Sequence, residues 1–216
     1  MEINYLGHST FYLKNKEVKL ICDPAGEAAG FKQAKLSADI VTISHNQHED
    51  HDDLSMITGD PMIISGPGEY EIKGVSIVGL ATWHDEAEGK DRGKNTIYII
   101  DMDDLRIAHL GDLGHQLSDK KLEVLDGVDI LLVPVGGVFS LDAQTAWKVV
   151  KQISPSIVIP MHFLTREHSS TFAKLSPVED FVKVSGLEAK KEAKLTVKES
   201  ELPEEMELVV LDRYGR

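Results

Sequence analysis

The run Ser44-His45-Asn46-Gln47-His48-Glu49-Asp50-His51-Asp52-Asp53 puts three imidazoles and four carboxylates into ten residues, directly after the apolar stretch Ile40-Val41-Thr42-Ile43. An apolar run of that length bounded by polar residues reads as a buried strand, so the cluster sits at a strand's C-terminal edge. Imidazole nitrogen and carboxylate oxygen are the ligand types that suit zinc, manganese and iron. The alternative is a solvated acidic loop that happens to contain histidine. The chain has nine histidines in all, and three of them within seven residues is a density that packing does not explain. A fold that carries this segment must therefore bring further ligands to the same edge.

Three candidates lie where such a fold needs them. His84 follows the β-type run 75–80, Asp112 follows 105–110, and His162 follows 157–160. One histidine after a strand is more often a structural hydrogen-bonding residue, but three strand-end ligands beside the loop point to convergence at one sheet edge. Cys22 is the only cysteine, which excludes an intramolecular disulfide and a thiolate cluster. Any metal must sit on histidine and carboxylate.

The rest of the pattern separates into two halves. Short β-type runs at 3–6, 10–13 and 18–22 read as an opening antiparallel meander, followed by runs at 40–44, 62–64, 70–72, 75–80, 96–100 and 105–110. Beyond residue 112 the pattern becomes βα alternation. A helix is expected from Ser118 to about Gly127, then a buried strand at 130–135 and a helix at 142–153 with apolar residues at Ala146, Val149, Val150 and Ile153. The strand at 157–160, a short helix at 177–184 and closing strands at 195–198 and 208–211 complete the chain. This order suggests two packed sheets with helices outside.

The 216 residues are expected to form a single domain, with 42% hydrophobic residues to build its core. No apolar run approaches the roughly 20 residues of a membrane-spanning helix. The N-terminus lacks the basic and apolar regions of a secretory signal, so the expected location is cytoplasmic. A formal charge of −13 disfavours a nucleic-acid partner, because phosphate backbones are held by clustered lysine and arginine. The expected partner is a small molecule; oligomeric state is not readable.

A series of short motifs carries a resemblance: Gly7-His8-Ser9, Ile21-Cys22-Asp23-Pro24, the His/Asp loop, Ser65-Gly66-Pro67-Gly68-Glu69-Tyr70, Arg92-Gly93-Lys94-Asn95-Thr96, His109 to His115 (HLGDLGH), Pro134-Val135-Gly136-Gly137 and Ile159-Pro160-Met161-His162. In this order they resemble the metallo-β-lactamase superfamily, and within it a bacterial and archaeal group of zinc-dependent hydrolases. The resemblance implies a four-layer αββα sandwich of two mixed β-sheets with helices on the outer faces, and a site at one edge where the sheets meet. It also implies two divalent ions, zinc by default, with manganese or iron as alternatives. His48 and His84 would bind the first ion, Asp50, His51 and His162 the second, and Asp112 would bridge them. A shared carboxylate lets two cations sit about 3.5–4 Å apart. The family loop reads His-x-His-x-Asp-His, whereas here two residues separate His45 from His48. Either the loop bulges and His45 remains a ligand of the first ion, or Asn46 takes that position; imidazole is the better ligand, which favours His45.

Metal-assisted hydrolysis follows, with a metal-bound hydroxide attacking a carbonyl or phosphoryl centre. Asp50 and Asp112 are the catalytic carboxylates, and His8 or His115 is a candidate donor to the leaving group. Arg92, Lys94 and Asn95 are candidate contacts for an anionic substrate group, with solvated loop charge as the alternative. Asp23 could orient the His loop; His109 reads as packed and His168 as surface. No Gly-x-Ser-x-Gly elbow supports a serine hydrolase. The expected substrate is a small, anionic ester, lactone or phosphodiester. The rivals are a nuclease of the same fold and a non-catalytic metal-binding protein.

Overall fold

The computed structural model describes residues 1–32, 34–46 and 51–215. The expected ligands His48 and Asp50 lie outside the described residues. The front half contains β1 (Glu2–Gly7), β2 (Thr10–Lys14), β3 (Lys19–Cys22), β4 (Leu36–Ser37), β5 (Ile40–Ile43), β6 (Ile57–Thr58), β7 (Met62–Ser65), β8 (Gly68–Ile72), β9 (Val75–Trp83), β10 (Lys94–Met102) and β11 (Leu105–His109). Helices then enter: α1 (Asp119–Val124), β12 (Ile130–Pro134), α2 (Ala143–Ile153), β13 (Ile157–Met161), α3 (Val178–Ser185), β14 (Ala189–Glu192), β15 (Leu195–Thr196) and β16 (Glu207–Leu211).

Two mixed sheets form. One has six strands in the order β15-β1-β2-β3-β5-β7, the other eight in the order β14-β16-β13-β12-β11-β10-β9-β8. Strand alternation explains how they pack. Phe11, Leu13, Leu20, Cys22 and Ile40 face the main core shared with Ile77, Ile99 and Ile107 of the larger sheet, while Tyr12, Ile21, Val41 and Ile43 point the other way. The second face of the six-stranded sheet is covered by Met56, from a 3-10 turn at Leu54–Met56, and by Leu36 and Ile57 of the paired strands β4 and β6. Among the described residues, the layer on that side is a turn and a strand pair. The three α-helices among the described residues all belong to the second half of the chain, where parallel neighbours β11-β12-β13 require crossover connections. Asp142 caps α2 by accepting from the Thr145 amide, and Ala146, Val149 and Val150 form its buried stripe, as their spacing predicts.

One side chain joins the sheets beneath the site. The Tyr98 hydroxyl donates to the Ile43 carbonyl (2.9 Å) and accepts from the Gly66 amide (2.8 Å), and burial raises its pKa. Beside it the Thr96 amide donates to the Ser44 carbonyl at 2.8 Å. The last residues of β5 are thus fixed to β10 of the opposite sheet.

Candidate metal centre

Every described residue of the expected centre sits in a turn that leaves a strand at one edge of the sandwich, apart from His51, which the His/Asp loop supplies. His45 follows β5, His84 follows β9, Asp112 follows β11, His162 follows β13, and His8 occupies the β1–β2 turn. All six are buried. The Asp112 carboxylate lies at the middle: His51 Nε2 is 3.2 Å from Oδ1, and His84 Nε2 and His162 Nε2 are 3.3 and 3.1 Å from Oδ2. The ring centroids of His45 lie 4.3 Å from His51 and 4.7 Å from His84, and those of His8 lie 4.8 Å from His51 and 4.3 Å from His162. Two adjacent groups result, His45 with His84 and Asp112, and His8 with His51 and His162.

Electrostatics suit such a group. Burial alone would raise the Asp112 carboxyl, but the charges of His162 and His51 beside it outweigh burial and hold it well below the usual carboxylate range. Oδ1 of Asp112 and both ring nitrogens of His162 are buried without a hydrogen bond among the described residues. Buried polar atoms are rarely left so, and borderline imidazole nitrogens with a hard carboxylate are a donor set that suits a divalent ion. The residues therefore fit a bound metal.

Local folding explains the positions. His8, Asp23 and His162 are all buried non-glycine residues with positive φ, 55°, 43° and 52°, a region that costs energy and concentrates at functional sites. The His8 carbonyl accepts from the Tyr5 hydroxyl (3.0 Å) and the His162 amide (2.9 Å), which ties the first turn of the chain to the end of β13. Asp23 accepts from both the amide and the hydroxyl of Ser44, at 2.7 and 2.6 Å, and the Ser44 oxygen lies 2.9 Å from His45 Nδ1. Since the hydroxyl proton goes to Asp23, Ser44 accepts from His45 Nδ1–H, which leaves the lone pair on Nε2. His45 is buried and turned into the cluster, and Asn46 is exposed.

Other candidates are placed differently. Asn95 is buried, and its amide is spent on the Thr82 hydroxyl, the Leu110 carbonyl and the Asp112 amide, so it positions Asp112 and is not a free substrate contact. His115 does not join the cluster: Nδ1 donates to the Gln116 carbonyl and Nε2 accepts from the Trp83 amide, which braces the end of β9 and leaves no nitrogen for proton donation. Arg92 donates to the Val138 carbonyl and lies 5.0 Å over the Phe139 ring. Lys94 is exposed on the wall of a cavity of about 520 Å³ that also contacts His45, Trp83 and Lys121. His109 is packed as expected, donating from Nε2 to the Ser9 carbonyl.

His168 overturns its surface reading. Phe31 and Phe172 enclose it, with centroids 4.9 and 5.4 Å away, its Nε2 is 3.0 Å from His8 Nδ1, and burial lowers its pKa to about 4. Its sequence context, a polar stretch six residues past His162, carries no signal of this; Phe172 is four residues away, but Phe31 comes from the front half of the chain.

Comparison with known proteins gives a consistent picture. A family profile described as the β-lactamase superfamily domain matches residues 2–162, ending on the last histidine of the cluster. The chain is 29% identical over 196 residues to a UPF0173 metal-dependent hydrolase of Pyrococcus horikoshii, covering 76% of this chain and 85% of that protein. It is 30% identical over 191 residues to a UPF0173 metal-dependent hydrolase of Thermoplasma acidophilum, covering 76% and 84%. A crystal structure from Thermotoga maritima, of a protein assigned to the metallo-β-lactamase superfamily, superposes with a TM-score of 0.80 at 30% identity over 97% of each chain.

Proposed function

The chain belongs to the β-lactamase superfamily, and from that premise we propose that it is a metal-dependent hydrolase with a dinuclear centre acting on a small anionic ester, lactone or phosphodiester. The convergence of three imidazoles on the buried Asp112 carboxylate carries this reading. His45, His84 and Asp112 would hold one ion, and Asp112, His51 and His162 the other; His48 and Asp50, expected to complete the set, lie outside the described residues. Zinc is the default for such ligands, with manganese and iron as alternatives. Bound there, divalent ions polarise a carbonyl or phosphoryl oxygen and bring the pKa of water toward neutrality.

The protein's own part is positioning. Asn95 fixes the backbone of Asp112, and the Asp23–Ser44–His45 relay turns a lone pair inward. The cavity beside His45, about 520 Å³ and bordered by Lys94 and Lys121, has the size of a small-molecule pocket and a cationic rim in an acidic chain. That supports a small anionic substrate.

The test is metal analysis of protein purified without chelator, followed by an ester, lactone and phosphodiester panel. Two ions per chain and turnover lost on chelation are expected. D112A should abolish turnover while the far-UV circular dichroism stays unchanged; retained turnover in folded D112A would sink the reading.

A further inference from the structure

His8 lies among the same rings as His51 and His162, so by proximity it reads as another ligand. Its hydrogen bonds point elsewhere. The backbone amide of Thr165 donates to His168 Nδ1 at 3.0 Å. A backbone amide can only donate, so Nδ1 of His168 holds a lone pair and the neutral ring carries its hydrogen on Nε2. The Thr165 hydroxyl, 3.1 Å from the same nitrogen, must then donate as well. His168 Nε2–H faces His8 Nδ1 at 3.0 Å, so His8 Nδ1 accepts. The neutral His8 ring carries its hydrogen on Nε2, a buried atom on the far side of the ring from His168.

We propose that Thr165 and His168 fix His8 as the Nε2–H tautomer, so that His8 meets the centre as a hydrogen-bond donor to an oxygen there and not as a metal ligand. The donor role rests on the hydrolase reading; the tautomer does not. His8 offers a hydrogen, and the acceptor it suits is a carboxylate, phosphoryl or developing alkoxide oxygen. His168 is the positioning residue. Its place between Phe31 and Phe172, and the anchoring of the His8 carbonyl by Tyr5 and His162, leave the pair little freedom to turn. The device is paired with the Asp23–Ser44–His45 relay and has the opposite sense. There a chain of acceptors ends in a lone pair at the cluster; here a chain of donors ends in a hydrogen.

Long-range proton–nitrogen correlation spectra of the ¹⁵N-labelled full chain test this without any substitution. Metal-free protein at neutral pH is expected to give Nε2–H patterns for both His8 and His168; an Nδ1–H pattern at His8 overturns the proposal. After zinc loading, His8 should keep its N–H while His51 and His162 take up ligand shifts. H8A should bind as much zinc per chain as the unaltered protein and turn over about 100-fold more slowly, the usual cost of one lost donor; zinc lost from H8A as from H162A overturns the ligand assignment. H168Q, which still donates, should keep the His8 tautomer and most of the turnover, whereas the nearly isosteric acceptor H168E should reverse the tautomer. Equal rescue by both would mean that His168 only fills space, against the proposal. A chain that binds no zinc would defeat the hydrolase reading, and the metal-free spectrum would still decide the tautomer.

Discussion

Ser44 illustrates how a residue with no titratable group can orient a proposed metal ligand. Its hydroxyl is committed to Asp23, so it has only an acceptor to offer His45. S44A removes that acceptor and the constraint on the ring, while Asp23 keeps the amide hydrogen bond from the same residue. Loss of such an orienting partner typically weakens metal affinity by about 10–100-fold, and competition with a chelating dye should measure it. Affinity unchanged in S44A would mean that the relay does not set the ligand. At this scale the sequence is informative about identity and silent about direction. His45, His51, His84, Asp112 and His162 are legible because ligand types recur after strand-like runs. The tautomers, and the withdrawal of His115 and Asn95 into hydrogen bonds, depend on partners that only the fold brings together: Asp23 lies 21 residues from Ser44, Asp112 17 from Asn95 and Trp83 32 from His115.

At the scale of elements, Tyr98 is a tie that holds β5 against β10 of the opposite sheet under the centre. Y98F leaves the Gly66 amide and the Ile43 carbonyl without their buried partner, at an expected cost of about 1–3 kcal/mol. Chemical denaturation should show a lower midpoint at constant slope; an unchanged midpoint would mean water replaces the hydroxyl. Most elements are readable from alternation and helical spacing, since β2, β3, β5 and α2 bury the residues their patterns select. β14 is not, because Ala-Lys-Lys-Glu is a charged edge strand with no apolar period. The Gly136-Gly137 pair is visible as a motif, but its reason is tertiary: a Cβ on Gly136 would collide with the His162 carbonyl.

At the scale of the whole molecule, the two ends of the chain meet at Glu2. Burial would raise its carboxyl, yet hydrogen bonds from Lys14, Lys194 and Asn4 lower it from 4.5 to about 2. A carboxyl depressed by folding stabilises the native state above its unfolded pKa, and the gain is lost as pH falls from 4.5 toward 2. E2Q should therefore lie below the unaltered protein in melting temperature at neutral pH, with the gap closing across that window. A gap independent of pH would assign it to packing. Added salt should narrow the gap as well, since the pairs are partly exposed. No helix among the described residues is long and apolar enough to cross a membrane.

The hydrogen bond from the His162 amide to the His8 carbonyl has a consequence for assembly. The cluster draws on turns from the first ten residues to beyond residue 160, so it does not exist until strands distant in the chain have met. The His/Asp loop, by contrast, is local and keeps three imidazoles close together even in an unfolded chain. Ions present too early would be captured by that loop alone, and binding to the unfolded state subtracts from the stability an ion confers. In refolding, metal added last should outperform metal added first, and the ion would serve as the final lock on a finished sandwich.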